Sequence, residues 1–200
     1  MSPSEKVTAN DTANYTANDT ANENDEFKIT QAISQDAPEL AQLVNSAYRG
    51  DSSRVGWTTE ADYLDGQRID EDWLKDLIQT SGTVILCLRK QNSEKILACV
   101  ELELLAEQKV LLGMLSVTPN LQNQGLGAKL MQSAEAFVAS HFQAKSIVMM
   151  VISIRSELIA YYERKGYVLK DEMEAFPYGD SRFGLPKRND LQFVRMEKTL

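Results

Sequence analysis

The sequence has few of the residues that build metal centres and disulfide frameworks. Its 200 residues include two cysteines and one histidine, His141, and these form neither a Cys-x-x-Cys pair nor a His/Cys cluster. We therefore expect no metal site. Cys87 and Cys99 lie in two neighbouring strand candidates, which a hairpin would place nearly opposite each other. A reducing cytosol favours free, space-filling thiols over a disulfide there.

The sequence also lacks long apolar runs and an excess of basic residues. No 18 consecutive apolar residues are available to span a bilayer, and no apolar stretch near the start is typical of a signal peptide. The formal net charge is -8, without a basic stripe, which argues against nucleic acids and anionic membranes as partners. We expect a cytoplasmic protein. Its acidic composition is compatible with cationic or amine substrates.

Residues 1–26 differ in composition from the rest of the chain. Thr-Ala-Asn recurs from positions 8, 12, 16 and 20 in a polar stretch whose one aromatic residue is Tyr15. Such a segment cannot bury enough apolar area to offset the entropy of ordering it, and Thr, Asn and Asp are poor helix formers. The pattern predicts a disordered tail, followed by one domain over residues 27–200.

Strand-type and helix-type patterns alternate along that domain. A helix after Asp36 places Leu40 and Val44 on one face, and the helix after Gly127 does the same with Leu130 and Met131. The order of elements predicts a single α/β domain, with helices on both faces of a mixed sheet. The further strand and helix candidates are 27–32, 83–89, 96–102, 146–152, 167–173 and 191–198 for strands, and 70–79 and 156–165 for helices.

The stretch from Leu112 to Ala128 is typical of a strand that enters a glycine-bearing turn and then a helix. Gly125 and Gly127 allow close approach of a ligand to the backbone, and the free N–H groups of the helix start favour an anion. The turn fits neither a Walker loop, because Ala128 follows the last glycine, nor a three-glycine dinucleotide fingerprint. The pattern predicts a bound pyrophosphate. His141 lies near the far end of the same helix, so we expect no catalytic role for it.

Two motifs carry a resemblance to a known family. Gln122, Gly125 and Gly127 match Q-x-x-G-x-G, which resembles the acetyl-CoA loop of the GNAT superfamily of N-acetyltransferases. About forty residues downstream, the segment from Glu157 to Tyr167 resembles the A-x-x-Y-E-x-x-G-F/Y signature of the same family. The motifs agree in order, spacing and residue type, and the resemblance covers roughly residues 110–168.

The resemblance implies a fold and an activity. The sheet is expected to be mostly antiparallel, with two parallel central strands that splay apart so that pantetheine enters the gap. The implied activity is direct transfer of an acetyl group from acetyl-CoA to a primary amine of a small-molecule or amino-acid-like acceptor. Two alternatives stay open: acetylation of protein N-termini or lysines, and a non-catalytic acyl-CoA sensor. A homodimer is also left open.

The resemblance further assigns roles to the backbone around the glycine turn. In the family, N–H groups of the preceding strand contact pantetheine and the acetyl oxygen, while N–H groups of the turn and the helix start hold the pyrophosphate. Gln122 would shape the turn. The coenzyme-binding residues that we predict are Leu115, Val117, Gln122, Asn123, Gln124, Gly125, Leu126, Gly127 and Ala128.

Tyr162 stands at the position of the family's usual general acid. A phenol with an ordinary pKa of about 10 remains neutral at physiological pH and can protonate a departing thiolate. Tyr161 precedes it, and adjacent side chains on a helix point about 100° apart. We therefore predict that Tyr162 is catalytic and that Tyr161 belongs to the core.

Two positions depart from the family pattern. Arg155 stands where many relatives have an asparagine, and either contact with a substrate carboxylate or a position in solvent explains it. Leu111 stands where many relatives have a glutamate base, so the base is unassigned. Glu101 and Glu103 are candidates, although a solvated strand face explains both equally, and a water chain or an already deprotonated amine would also suffice.

In the family, the acceptor site is built by the connection after the first helix and by the loop between the last two strands. Here the first connection supplies Glu60 and Asp62, whose carboxylates suit an ammonium group, and Trp57 as a wall of the site. The second loop spans residues 175–190 and supplies further aromatic residues. The pattern favours a small amine or amino-acid-like acceptor.

Overall fold

The computed structural model describes residues 26–200. The predicted disorder of residues 1–25 therefore lies outside the described residues, and Glu26, the last tail residue, accepts the backbone N–H of Gln91 at 2.9 Å. Within residues 26–200, no helix combines the length and apolar character needed to cross a membrane. The helices and strands are β1 (Phe27–Gln31), α1 (Ala37–Tyr48), α2 (Gly50–Ser53), β2 (Leu64–Asp65), α3 (Glu71–Gln79), β3 (Thr83–Lys90), β4 (Ile96–Leu104), β5 (Lys109–Val117), α4 (Leu126–Phe137), β6 (Ser146–Ile152), α5 (Ser156–Arg164), β7 (Val168–Ala175), β8 (Leu185–Pro186) and β9 (Gln192–Thr199).

Seven of the strands form one sheet in the order β1-β3-β4-β5-β6-β9-β7. Every neighbouring pair is antiparallel except β5 and β6, which are parallel. The parallel ladder joins only Lys109–Leu111 to Ser146–Val148, although both strands continue beyond it. The strands therefore part after Leu111 and Val148, and the predicted mixed sheet with a splayed parallel pair is confirmed.

A β-bulge lies on β5 where the gap opens. Cys99 pairs with Ser116, whereas Glu101 pairs with Gly113, so β5 has one extra residue in this interval. Within it, Met114 has a φ of 52°, which is uncommon for a residue with a side chain. A bulge bends its strand and re-aims neighbouring groups, so the backbone of Leu115 to Val117 turns towards the gap.

Helices α1 and α3 pack on one face of the sheet. Helix α1 has Pro38 in its first turn, where the missing N–H costs nothing. Helix α3 begins after Asp70, whose carboxylate accepts the backbone N–H of Trp73 at 2.8 Å, a cap that contributes about 1 kcal/mol. The buried residues on this face include Leu40, Val44 and Ala47 of α1, Leu74 of α3, and Ile85, Cys87, Ile96, Cys99 and Met114 of the sheet.

Helices α4 and α5 cover the opposite face. The predicted apolar side of the α4 helix is confirmed, since all five of its residues are buried. Burial of each large apolar side chain is worth about 1.5–3 kcal/mol, so this face anchors the helix whose start follows the glycine turn. The five residues are Leu130, Met131, Ala134, Phe137 and Val138.

The two cysteines confirm the predicted β3–β4 hairpin. Cys87 and Cys99 are direct partners in the ladder, both are fully buried, and both are free thiols. Burial raises the pKa of each, that of Cys99 to about 12. Within the described residues, no group of three or more His, Cys, Asp or Glu side chains is placed to hold a metal ion. His141 lies in the helical turn after α4 and stacks on Phe137 with ring centroids 4.3 Å apart.

A small second sheet covers the end of the gap. Strands β2 and β8 pair through Leu64 with Pro186 and Asp65 with Leu185. The sequence indicated only an irregular connection before α3, so this sheet was not foreseen. It joins both loops of the predicted acceptor site to a separate apolar cluster, whose buried members are Leu64, Ile152, Phe176 and Leu191.

Candidate active site

Two cavities meet beside the gap between β5 and β6. The first cavity, about 620 Å³, lies between the glycine turn and α5. The second cavity, about 520 Å³, lies between α3, the bulge on β5 and the aromatic residues before β9. Both are within the size range of small-molecule sites. They share one wall, which consists of Tyr48, Leu115, Arg155, Leu158 and Tyr162.

The glycine turn forms one side of the first cavity. Gly125 precedes α4 with a φ of 83°, a left-handed conformation that favours glycine. A Cβ on Gly127 would lie 3.4 Å from Val117 Cγ2, so this glycine permits close packing of α4 on β5. Most of the predicted coenzyme-binding residues line this cavity, namely Leu115, Val117, Gln122, Asn123, Gly125, Gly127 and Ala128.

The two remaining predicted coenzyme residues lie outside the cavity lining. The side chain of Leu126 is buried in the core below α4. Gln124 is exposed, and its Nε2 donates to the carbonyl of Asn120 at 3.4 Å. Any contact of these two residues with the coenzyme would therefore involve their backbone N–H groups at the helix start.

Gln122 ties the glycine turn to the segment before β2. Its Oε1 accepts the backbone N–H of Trp57 at 2.9 Å, and its Nε2 donates to Thr58 Oγ1 at 3.0 Å and to the carbonyl of Val117 at 3.2 Å. The predicted role of Gln122 in shaping the turn thus extends to a second loop, because one side chain joins three backbone segments.

The end of β5 presents backbone groups to the gap. Thr118 donates its N–H to the carbonyl of Leu97 on β4 at 2.9 Å, and peptide groups of successive residues alternate in direction along a strand. Those of Leu115 and Val117 therefore face away from β4. The Leu115 carbonyl accepts the Tyr48 hydroxyl at 2.6 Å, which leaves the N–H groups of this segment for a ligand.

Cations from α5 also line the first cavity. Arg164 and Lys165 are exposed members of its lining, and the ammonium of Lys165 lies 5.7 Å from the Tyr161 ring centroid. Phosphate groups interact favourably with such charges. From the sequence, this segment was predicted only as part of the tyrosine signature. The signal in the sequence that could have indicated a phosphate contact was the pair of adjacent basic residues at the end of the helix.

Tyr162 lies on the shared wall and is 7% exposed. Within the described residues its hydroxyl has no hydrogen-bond partner. Burial, together with the nearby Tyr48, raises its pKa above the ordinary value. The side chain is therefore a neutral proton donor that faces both cavities.

Tyr161 corrects one expectation. The sequence predicts a core position for Tyr161 because its neighbour faces the site. Tyr161 is half-buried and packs against the core, but it also lines the first cavity. Its ring packs edge-on against both Trp57 and Tyr162, at centroid distances of 5.4 Å. The splay of β5 and β6 widens the space beside α5, so side chains about 100° apart both reach it.

Arg155 does not lie in solvent, which excludes one of the two explanations that the sequence left open for it. Its side chain is 8% exposed, donates to Glu60 Oε1 at 2.9 Å and donates to the carbonyl of Thr58 at 2.7 Å. Arg49 pairs with the other oxygen of Glu60. Burial of Glu60 opposes its ionisation, but Arg155, Arg49 and Arg68 together hold its pKa below the ordinary value. Glu60 is thus a charged carboxylate, and both of its oxygens already accept guanidinium N–H groups.

The other two predicted acceptor residues lie apart from each other. Asp62 is 59% exposed, pairs with Arg54 at 2.8 Å and is absent from the lining of both cavities. The structure does not bring it together with the other site residues. Trp57 lines the first cavity rather than the second. Its position beside Gln122 places it on the side of the glycine turn.

The second cavity contains both candidate bases. Glu101 is half-buried and Glu103 is exposed, and they project from β4 opposite Gly113 and Leu111. Burial raises the pKa of Glu101, an effect that Arg68 partly offsets. A half-buried carboxylate of raised pKa suits proton transfer near neutral pH better than an exposed one. The aromatic members of the lining are Tyr48, Trp73, Tyr162, Phe176, Phe183 and Phe193.

Comparison with known proteins agrees with this geometry. The acetyltransferase (GNAT) family model matches residues 38–167. No curated protein sequence is similar enough to this chain to count as a relative. Solved structures share the fold at low identity. The Escherichia coli ribosomal-protein-S18-alanine N-acetyltransferase superposes with a TM-score of 0.61 at 15% identity, over 86% of this chain and 93% of that one.

Two further structures are similar. A mutant spermidine N-acetyltransferase from Vibrio cholerae has a TM-score of 0.63 at 12% identity, over 87% of this chain and 94% of its own. An N-acetyltransferase from Staphylococcus aureus Mu50 has a TM-score of 0.63 at 16% identity, over 86% and 97%. Because the family model matches more than half of the chain, the protein belongs to the GNAT acetyltransferase family. It is an acetyl-CoA-dependent acyltransferase, since acetyl-CoA is the acetyl donor of this family.

Proposed function

We propose that the protein transfers an acetyl group from acetyl-CoA directly to the primary amine of a small-molecule acceptor. The observation that carries the proposal is the shared wall, because Tyr162 lies on it between the cavity that we assign to the donor and the cavity that we assign to the acceptor. Holding both reactants in contact converts a bimolecular step into an effectively unimolecular one.

The first cavity suits the coenzyme. The pyrophosphate would lie at the start of α4, where Gly125 leaves the backbone open and the helix dipole favours an anion. Arg164 and Lys165 line the same cavity and would neutralise phosphate charge. The pantetheine would run along β5 towards the bulge, with the N–H groups of Leu115 and Val117 directed at the acyl end.

The proposed reaction needs an oxyanion donor, a base and an acid. The amine nitrogen forms a bond to the acetyl carbon, and the backbone N–H groups at the end of β5 stabilise the resulting oxyanion. Glu101 accepts the proton that leaves the nitrogen. The carbon–sulfur bond then breaks, and Tyr162 donates a proton to the thiolate, which balances the proton lost by the amine.

The size and closure of the second cavity favour a small acceptor over a peptide. Leu64 of β2 and the cluster around Phe176 line one end of this cavity, whereas a peptide needs an open groove. The placement of Tyr162 favours an enzyme over a non-catalytic acyl-CoA sensor. Residues of one chain line both cavities, so the proposed reaction needs no second copy. We place it in the cytoplasm, in keeping with the free thiols of Cys87 and Cys99.

A thiol-release assay tests the proposal. Purified protein is incubated with acetyl-CoA and a panel of small primary amines, and free coenzyme A is measured for the wild type and for Tyr162→Phe. We expect amine-dependent release that the substitution slows by about 100-fold or more. Equal rates in the two proteins would refute the role of Tyr162, and turnover of protein N-termini alone would refute a small acceptor.

A further inference from the structure

An arginine whose guanidinium N–H groups are unused lines the second cavity. Arg68 is half-buried, and its guanidinium makes no hydrogen bond and no ion pair with the described residues. Its carbon Cζ lies 6.0 Å from the centroid of the Tyr48 ring, so the charged group lies beside the shared wall. The guanidinium N–H groups are therefore available to an anionic ligand in the cavity.

The backbone holds Arg68 in this position. Asn45 Oδ1 accepts the N–H of Arg68 at 2.6 Å, and Asn45 Nδ2 donates to the carbonyl of Ile69 at 2.8 Å. Ile69 itself is buried against α1 and α3. The backbone of Arg68 is therefore fixed by α1, which keeps the side chain at this end of the cavity.

The buried charges next to Arg68 also favour an anion at this end of the cavity. Glu60 already balances one of its two partners, Arg49 and Arg155, so this trio has a net charge of +1. The Nε of Arg49 is also buried without an acceptor. With Arg68, the three arginines at this end exceed the buried carboxylate of Glu60 by two charges, although the whole lining has four glutamates. The positive excess is therefore local to the end of the cavity that Glu60 occupies.

Glu101 does not supply that anion. It forms no ion pair with Arg68, although the two charges are close enough to influence each other. The cavity thus offers a guanidinium and a carboxylate that are separate from each other. A zwitterion complements such a pair, because its carboxylate can bind the arginine while its amine lies near the glutamate.

We propose that the acceptor carries a carboxylate as well as its amine, as an amino acid does, and that Arg68 binds this carboxylate. A guanidinium matches a carboxylate with two parallel hydrogen bonds. The inference rests on the proposed function, because it assigns the second cavity to the acceptor. Glu103 and Glu174 also line the cavity, but both are exposed, so solvent screens the attraction they would exert on a polycation.

Matched acceptor pairs test the proposal. L-phenylalanine is compared with phenethylamine, and L-lysine with cadaverine, since each pair differs by one carboxylate. We expect kcat/KM with acetyl-CoA to be higher for the amino acid of a pair. Arg68→Ala should lower that preference by about 10- to 100-fold, the worth of a hydrogen bond to a charged group. Arg68→Lys should restore part of it. Lys75→Ala removes a cation from α3 outside both cavities and should leave the preference unchanged.

A binding measurement separates this inference from the proposed function. Calorimetry with the enzyme saturated in coenzyme A measures the affinity for each amino acid and its decarboxylated partner. If no amine is acetylated but Arg68→Ala still weakens amino-acid binding, acetyl transfer to small amines fails and the carboxylate site stands. If both members of each pair are acetylated equally, by the wild type and by Arg68→Ala, the carboxylate site is refuted and the acetyltransferase stands. Equal affinity for both members of each pair would also refute it.

Discussion

Gln122 accepts the backbone N–H of Trp57 at 2.9 Å, and this contact joins the glycine turn of the first cavity to the loop that supplies Glu60 to the second. The two loops are 65 residues apart in sequence. A Cβ on Gly56 would lie 2.5 Å from Gln122 Oε1, so the glycine before Trp57 leaves the space that the amide occupies. One uncharged side chain thus links a loop of the first cavity to a loop of the second.

Replacement of Gln122 should weaken both loops. Gln122→Ala removes one acceptor and two donor contacts, and we expect the free energy of unfolding to fall by about 1–3 kcal/mol. The KM values for acetyl-CoA and for the acceptor should rise together, because each loop borders one cavity. Urea denaturation and steady-state kinetics measure the two effects. Gln124→Ala, at an exposed neighbour, is the control for stability and should change it by less than about 0.5 kcal/mol.

Replacement of Tyr162 should separate acid catalysis from packing. Tyr162→Phe keeps the buried ring, so the melting temperature should change little while kcat falls by about 100- to 10,000-fold. Because burial raises the pKa of Tyr162 above its ordinary value, the acidic form persists to high pH. The wild type should therefore keep its kcat through pH 10, as measured in a buffer series. Tyr161→Phe is the matched control and should retain most of the activity.

The pH dependence of kcat/KM should follow the ionisation of Glu101. Burial raises the pKa of this carboxyl, and the proposed base is active only when ionised. We therefore expect kcat/KM to fall as the pH drops through this raised pKa. Glu101→Gln should lower kcat and abolish the acidic limb. Glu103→Gln, at an exposed position on the same strand, should preserve the limb, and a limb that survives in Glu101→Gln would assign the base elsewhere.

The Glu60 carboxylate should stabilise the fold at pH values above the ordinary pKa of glutamate. The arginines around it hold its pKa below that value in the folded state despite its burial. Its contribution is therefore fully present above the unfolded pKa and is lost as the pH falls through the lowered one. Glu60→Gln leaves two buried guanidinium groups without their anion, and we expect a loss of about 3–5 kcal/mol at neutral pH.

Thermal denaturation at several pH values checks this expectation. The difference in stability between the wild type and Glu60→Gln should shrink as the pH falls from the ordinary pKa of glutamate, where the unfolded chain takes up the proton, through the lowered pKa of the folded state. Glu94→Gln removes an exposed partner of Lys28 and serves as the control. It should change stability by less than about 1 kcal/mol. A pH-independent difference for Glu60→Gln would contradict the ionic account.

The glycine turn should be required for coenzyme binding. Gly125→Val introduces a branched side chain at a φ of 83°, and left-handed backbone costs such a residue about 1–2 kcal/mol. Gly179→Val imposes similar strain at a φ of 91° on an exposed loop outside both cavities. Calorimetry should show at least about a tenfold loss of coenzyme A affinity for Gly125→Val, and unchanged affinity for Gly179→Val.

Local patterns predicted much of the fold. Helical spacing identified the buried side of α4, and the glycine turn identified the start of that helix, because both signals depend on residues within a few turns of one another. The facing cysteines could be predicted from two adjacent strands. The β2–β8 sheet could not, because each of its strands has two residues and they are about 120 residues apart.

The site was predicted less completely because its charges come from distant segments. Arg155 and Glu60 are 95 residues apart, and no local pattern indicates that they pair. Arg68 lies just before the cap of α3, and the sequence around it has no feature that indicates a binding residue. The Met114 bulge contains no glycine at its left-handed position, so the usual sequence signal was absent. Tyr161 was misplaced because the width of the strand gap is a tertiary property.

The facing thiols at the centre of the hairpin have a practical consequence. Cys87 and Cys99 are sealed from solvent, and burial raises the pKa of each, so neither supplies a reactive thiolate to a colorimetric reagent while the domain stays folded. The sequence has no other cysteine. In an assay of native enzyme, the thiol that reacts with the reagent is therefore that of the coenzyme A product. The background signal of the protein rises only when the β3–β4 hairpin unfolds.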